Sequence, residues 1–143
     1  MEDLYHARVL ELAADIPHLG RLDQPDGAAT KVSRVCGSVV TVELKLMDGK
    51  VSDIAVHPKA CALGQAATGV LAMNAIGATP AEIREARDGL HAMLKEGGDP
   101  PKGRFWELRH LQGVRDYPPR HASTMLAFDA AVEALEQAKA KAQ

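Results

Sequence analysis

Two cysteines carry most of the chemistry this sequence offers. Cys36 stands before Gly37 in Val35-Cys36-Gly37-Ser38, and Cys61 stands just before an apolar run with helical periodicity. A thiolate attacks sulfur and binds soft metals, so thiol acidity decides what either residue does. At Cys61 the start of a long helix supplies backbone N–H groups and a partial positive charge, which favours the thiolate. Both residues also suit small core hydrophobes, the usual fate of free cysteine, and their spacing matches no zinc finger. Among six histidines, His57 ends a strand-like segment shortly before Cys61, and His121 opens the last helix beside Arg120. Either is a metal ligand or an ordinary hydrogen-bonded ring. His6, His18, His91 and His110 read as solvated. The sequence contains no Gly-rich phosphate loop, GxSxG elbow or HExxH pair, so those enzyme classes lack their first requirement.

The elements that must position these residues follow from periodicity. Leu4 to Ile16 has apolar residues at helical spacing and then meets Pro17, which predicts an amphipathic opening helix. Gly20 to Thr30 contains the breaker pair Asp26-Gly27 and reads as an exposed connector contributing nothing to the core. Lys31 to Cys36 is a weaker strand at a sheet edge. Val40 to Leu46 alternates, with Val40, Val42, Leu44 and Leu46 on one face. Asp48-Gly49 turns the chain, and Val51 to His57 returns with Ile54 and Val56 on the matching face. Keeping those residues on one face requires an odd number of loop residues, so a three- or five-residue turn is predicted.

From there the pattern is helical. Ala62 to Ile76 is rich in small residues that allow close packing. Thr79-Pro80-Ala81-Glu82 is a capping box opening a helix from Pro80 to about Lys95, which Gly97-Gly98 stops. Phe105 to Leu111 is a short amphipathic helix with the single Trp. The last helix runs from near Arg120 to Ala142. Three strands followed by helices argue for an α+β fold, a three-stranded antiparallel sheet with helices on one face, as a single domain over residues 1–143.

Composition narrows the function classes. The chain has 143 residues, 46% hydrophobic and 25% charged, enough for one core. Seventeen basic against nineteen acidic residues leave a net charge of -2, which disfavours nucleic acid and anionic membranes as partners. Two Phe, two Tyr and one Trp give little for stacking bases. Gln65, Thr68 and Asn74 interrupt the most apolar run, so it is a core helix and not a membrane span. Glu2 and Asp3 stand where a secretory signal would be basic, and two lone cysteines suit a reducing compartment; the expected location is cytoplasmic.

Three segments resemble a known family. Val35-Cys36-Gly37-Ser38, then Lys59-Ala60-Cys61-Ala62-Leu63-Gly64-Gln65-Ala66-Ala67, then Tyr117-Pro118-Pro119-Arg120-His121-Ala122-Ser123-Thr124-Met125-Leu126-Ala127-Phe128 are similar to the U-type iron–sulfur cluster scaffold family (IscU, SufU and the NifU N-terminal domain). The spacing is most like the SufU type. The resemblance covers nearly the whole chain and implies the family's α+β fold. In that family each segment contributes a cysteine and an Asp stands beside them. Here Cys36 and Cys61 fall on the first two cysteines, Ser38 on the Asp, and Ser123 on the third cysteine. A neutral hydroxyl is a much poorer ligand than a thiolate, because it must lose a tightly held proton.

What the resemblance implies is a noncatalytic scaffold or carrier, not an enzyme. Cys36 and Cys61 would bind iron, zinc or a [2Fe-2S] cluster, with Ser38, His121 and Ser123 as candidate further ligands, and pass it to acceptor proteins. Two thiolates per chain supply four to a cluster bridging a homodimer. His121 precedes the family cysteine position by two residues, which on a helix means another face. An alternative is a sulfur acceptor in which Cys61 takes persulfide sulfur from a cysteine desulfurase. A third is a metal-free member that only binds partners. The metal readings require Cys36 and Cys61 to converge on an exposed rim beside Ser38 and Ser123.

Overall fold

The β2–β3 hairpin is the centre of the sheet. Strands β2 (Val39–Met47) and β3 (Lys50–Lys59) pair antiparallel with Val42 opposite Val56 and Leu44 opposite Ile54. All four side chains are buried, so the alternation in the sequence marks the core face. The computed structural model describes residues 2–142; Met1 and Gln143 of the expected unit lie outside the described residues.

The hairpin turn corrects the predicted loop. It has only two residues, Asp48 (φ 54°) and Gly49 (φ 76°), both left-handed as the twist of a tight hairpin prefers. The odd residue that keeps the apolar faces aligned is inside β3. Lys45 pairs with Asp53 and Leu46 with Val51, so Ser52 bulges out of the ladder. The parity requirement holds, and it is met by this bulge in place of a longer turn.

The third strand, β1 (Gly27–Val32), lies earlier than the expected Lys31 to Cys36 and occupies part of the expected connector. It pairs antiparallel with β2, Ala29 opposite Val42, giving the order β1-β2-β3. Asp26-Gly27 does not break structure but starts it. The Asp26 amide donates to Leu44 O at 2.8 Å, and its carboxylate accepts from the Leu46 amide at 2.8 Å. A Cβ at Gly27 would overlap the Ala134 carbonyl, so the glycine is there to let the last helix lie against the strand. Small residues such as Gly27, Ala28 and Ala29 carry no β-signal of their own. The remaining connector is also ordered: Gly20 N–H donates to Val56 O at 3.0 Å, and Val56 N–H donates to His18 O at 2.9 Å. On the outer face the buried Glu43 accepts from Arg21 Nε at 2.8 Å and the Leu22 amide at 2.7 Å.

Four α-helices complete the fold. The opening pattern divides into a 3-10 turn, Glu2–Tyr5, and α1 (Ala7–Ala14). Helix α2 (Ala62–Asn74) is buried on nearly every face, and its Gly69 meets the Leu12 backbone of α1, where a side chain would clash. Helix α3 (Pro80–Lys95) begins with the Thr79–Glu82 capping box, both reciprocal bonds present. It ends where Gly97 takes φ 69° and Gly98 N–H returns to Ala92 O at 2.9 Å. The expected short helix is a longer 3-10 run, Gly103–Asp116, kinked at Phe105. A 3-10 turn, Pro118–Arg120, then leads into α4 (His121–Ala142). Phe128 of α4 meets Phe105 edge-on at 5.4 Å in the core.

Three of the histidines read as solvated are partnered. His91 Nε2 is 2.9 Å from Asp129 Oδ1. The His6 and His110 rings contact edge to face at 5.5 Å, and burial pushes the His110 pKa down. Their partners come from other elements, which local sequence does not show. No helix among the described residues is long and apolar enough to cross a membrane.

Candidate functional site

The loop between β1 and β2 presents Cys36. Gly37 N–H donates to Ser33 O and Ser33 N–H to Ser38 O, both at 2.8 Å. Gly37 at φ 74° makes the reversal that a side chain would resist. The result is an exposed Cys36 above two buried serines, Ser33 and Ser38. The Cys36 Sγ is 3.0 Å from Ser38 Oγ and 3.6 Å from Ser33 Oγ.

Cys61 comes from the opposite end of the sheet order, where β3 passes into α2. It is the N-cap residue of α2, yet its side chain makes no capping bond. Its thiol points across to α4, where Sγ lies 3.5 Å from Ser123 Oγ. Ser123 is fully buried and donates to Arg120 O at 3.2 Å, which holds its oxygen in place. The approach of α4 to α2 depends on Gly64, because a Cβ there would come within 2.9 Å of both Ser123 O and Ala60 Cβ.

The two halves meet at Ser123, whose hydroxyl also acts on the Cys36 thiol. The pKa of Cys36 is lowered from the ordinary thiol value to about 7. The Ser38 hydroxyl is the largest cause; burial opposes it, and the Ser38 amide and the hydroxyls of Ser33 and Ser123 add to the lowering. Hydrogen bonds to the charged form favour that form. The thiolate of Cys36 is therefore favoured by its hydroxyl neighbours, a cause distinct from the helix end expected at Cys61.

The structure sets Ser38 against Cys36 and Ser123 against Cys61, with the Ser123 hydroxyl reaching the Cys36 thiol as well. Only Cys36 is exposed; Ser38 and Ser123 are buried rather than on the expected exposed rim. The structure also adds Ser33, which the sequence reading missed. Its signal was the placing of hydroxyls at Ser33 and Ser38 on either side of Cys36. His121 is turned elsewhere: its Nε2 donates to Val114 O at 3.0 Å and to Arg115 O at 3.1 Å, which ties the start of α4 to the preceding 3-10 run. His57 stands exposed on β3 opposite Thr41. Among the described residues no group of three or more His, Cys, Asp or Glu is arranged to hold a metal ion. Two thiols and neighbouring hydroxyls do not make the four-donor tetrahedral set of a closed zinc site. They do supply half of the four thiolates that a [2Fe-2S] cluster takes.

Residues 4–94 match the family model for the NifU-like N-terminal domain, a span that includes both cysteines. The chain belongs to that family. Its relatives extend the likeness beyond residue 94. The crystal structure of the N-terminal part of a nitrogen-fixing NifU-like protein from Brucella abortus is 50% identical, covers 97% of this chain and 96% of that one, and superposes with a TM-score of 0.95. The iron-sulfur cluster assembly scaffold protein IscU of Streptococcus pyogenes serotype M1 is 27% identical over 137 residues, 96% of this chain and 86% of the relative. A putative scaffold protein for the SUF system from Fervidobacterium islandicum, at 21% identity, TM-score 0.84 and 92% of this chain against 96% of that one, shares the fold.

Proposed function

We propose that this chain is a noncatalytic iron–sulfur cluster assembly scaffold or carrier that works as one domain in the reducing cytoplasm. Its cargo is iron or a nascent [2Fe-2S] cluster, held through Cys36 and Cys61 and passed to acceptor proteins. The observation that supports this reading is a pair of thiols set against hydroxyls, Cys36 of the β1–β2 loop on Ser38 and Cys61 at the start of α2 on Ser123 of α4, with the Ser123 hydroxyl acting on Cys36 as well. Family membership and the names of the relatives support it. The two thiolates satisfy half of a [2Fe-2S] cluster, and the exposed position of Cys36 leaves the other half open to ligands from outside the chain. An open, incompletely ligated site suits a cargo that must leave.

The test is iron and acid-labile sulfide content, with a visible absorption spectrum, on protein purified without oxygen. Matched iron and sulfide that disappear in the Cys36→Ser, Cys61→Ser double variant support the scaffold reading. Metal-free protein from both sinks it and leaves a partner-binding family member.

A second reading, acceptance of sulfur from a cysteine desulfurase, is favoured by the low pKa of Cys36. An exposed thiol whose thiolate is stabilised by neighbouring hydroxyls is a competent nucleophile toward a persulfide. This makes Cys36 a candidate acceptor beside Cys61. Mass spectrometry after incubation with a desulfurase and cysteine, on the two single Cys→Ser variants, separates them.

A further inference from the structure

We infer that the pocket between the β2–β3 turn and the helices α3 and α4 binds a free alkyl carboxylate, an anionic head on an apolar chain of medium length. It is a site apart from the thiols. The turn follows Met47 at one end of β2 and the Cys36 loop precedes Val39 at the other, so nine residues of strand, roughly 25 Å, lie between them. The pocket holds about 520 Å³, within the range of small-molecule sites. Leu46 of β2 and the buried Leu135 and Ala138 of α4 make its floor, and Met47 and Pro80 its walls. Met47 is 66% exposed, and its unbranched thioether adapts to the shape of a chain laid against it.

The charges at the pocket select an anion. Arg84 of α3 and Lys139 of α4 line it together with Asp48 of the turn, two cations against one acid. Neither cation has an ion-pair or hydrogen-bond partner among the described residues. Glu136, the acid nearest to Lys139 along α4, lines the groove on the other side of that helix. Arg84 is half-buried, and its planar guanidinium offers a carboxylate two parallel N–H bonds. The body of the ligand follows from the floor. A peptide segment brings N–H and C=O groups that need partners, and the side chains of Leu46, Met47, Pro80, Leu135 and Ala138 offer none. An alkyl chain has no such groups to satisfy, and its burial against this floor is favourable along its whole length.

The test is calorimetric titration of the intact chain with decanoate, kept below the concentration at which decanoate self-associates. One decanoate per chain is expected. Hexanoate, four methylenes shorter, is expected to bind about 100-fold more weakly, and decyltrimethylammonium, of opposite charge, to show no saturable binding. Arg84→Met, which keeps a good helix former in α3, is expected to weaken decanoate binding roughly tenfold. Met47→Glu, at an exposed position where folding is little affected, is expected to weaken it as well, by repulsion. Iron and sulfide uptake should be unchanged in both variants. The Met47 methyl signal, followed by NMR, should shift with decanoate and not with the ammonium. Decanoate that does not bind, a cationic analogue that binds equally well, or parental affinity in both variants overturns the inference. Each of those results leaves the scaffold reading untouched, because no thiol takes part; protein that takes up no iron and sulfide leaves the decanoate site standing.

Discussion

The Cys61 Sγ and the Ser123 Oγ lie 3.5 Å apart although 62 residues of chain separate them. That contact joins the start of α2 to the first turn of α4 and makes Ser123 the floor of the site. Because the Ser123 hydroxyl touches the Cys61 thiol and also acts on Cys36, replacing it changes the donor set. Ser123→Cys is expected to create a three-thiol site that retains zinc at least ~10-fold more tightly than the parent. Competition with a chromophoric zinc chelator measures this; unchanged zinc affinity would show that the three positions do not address a common point.

Cys36 titrates with a pKa of about 7 because the Ser38 hydroxyl, above all, stabilises its thiolate. The rate of alkylation of Cys36 by iodoacetamide should therefore rise with pH through a midpoint near 7, with little reaction below it, where the thiol is protonated. In Ser38→Ala the midpoint should move upward toward the ordinary thiol range. Peptide-resolved mass spectrometry in a Cys61→Ser background reads the profile; an identical midpoint in Ser38→Ala would remove the hydroxyl as its cause.

Gly64 sets how closely α4 approaches Cys61. The contacts at 2.9 Å that a Cβ would make with Ser123 O and Ala60 Cβ mean that Gly64→Ala must push the two elements apart. The expected outcome is reduced iron and sulfide uptake, together with a loss of about 1–3 kcal/mol in stability. Denaturation and reconstitution on the same preparation check both; a stable variant with parental uptake would show that the spacing is not needed.

Gly27→Ala probes the sheet edge far from the thiols. The new methyl overlaps the Ala134 carbonyl, so β1 or α4 must shift, at a cost of about 1–3 kcal/mol. Urea denaturation measures it. A variant as stable as the parent would mean that β1 and α4 separate freely.

The capping box gives the plainest local prediction. Thr79 accepts from the Glu82 amide at 3.2 Å, and Glu82 accepts in return from the Thr79 amide at 3.0 Å. Thr79→Ala removes one of these bonds and should cost about 1 kcal/mol. The same denaturation experiment checks it, with Thr79→Ser expected to recover most of the loss.

The sequence by itself determined the features whose causes are local. The alternation from Val40 to Leu46 and the matching Ile54 and Val56 set the faces of the hairpin, because the strand period is two and one face must be dry. Thr79-Pro80-Ala81-Glu82 set the start of α3, since every group in that cap lies within one turn. The two cysteines, and the segments around them that resemble the family, were legible for the same reason. Only the tertiary structure decided the rest. It put β1 at Gly27, where the glycine answers to a carbonyl on α4 and not to any neighbour in sequence. It met the parity of the hairpin with a bulge at Ser52, because side-chain period fixes how many residues are needed but not where the extra one goes. It brought Ser33, Ser38 and Ser123 around Cys36 and turned His121 away to the Val114 and Arg115 carbonyls. Those outcomes depend on contacts between distant segments, and a hydroxyl's effect on a thiol falls off within a few ångström, a distance that sequence spacing does not encode.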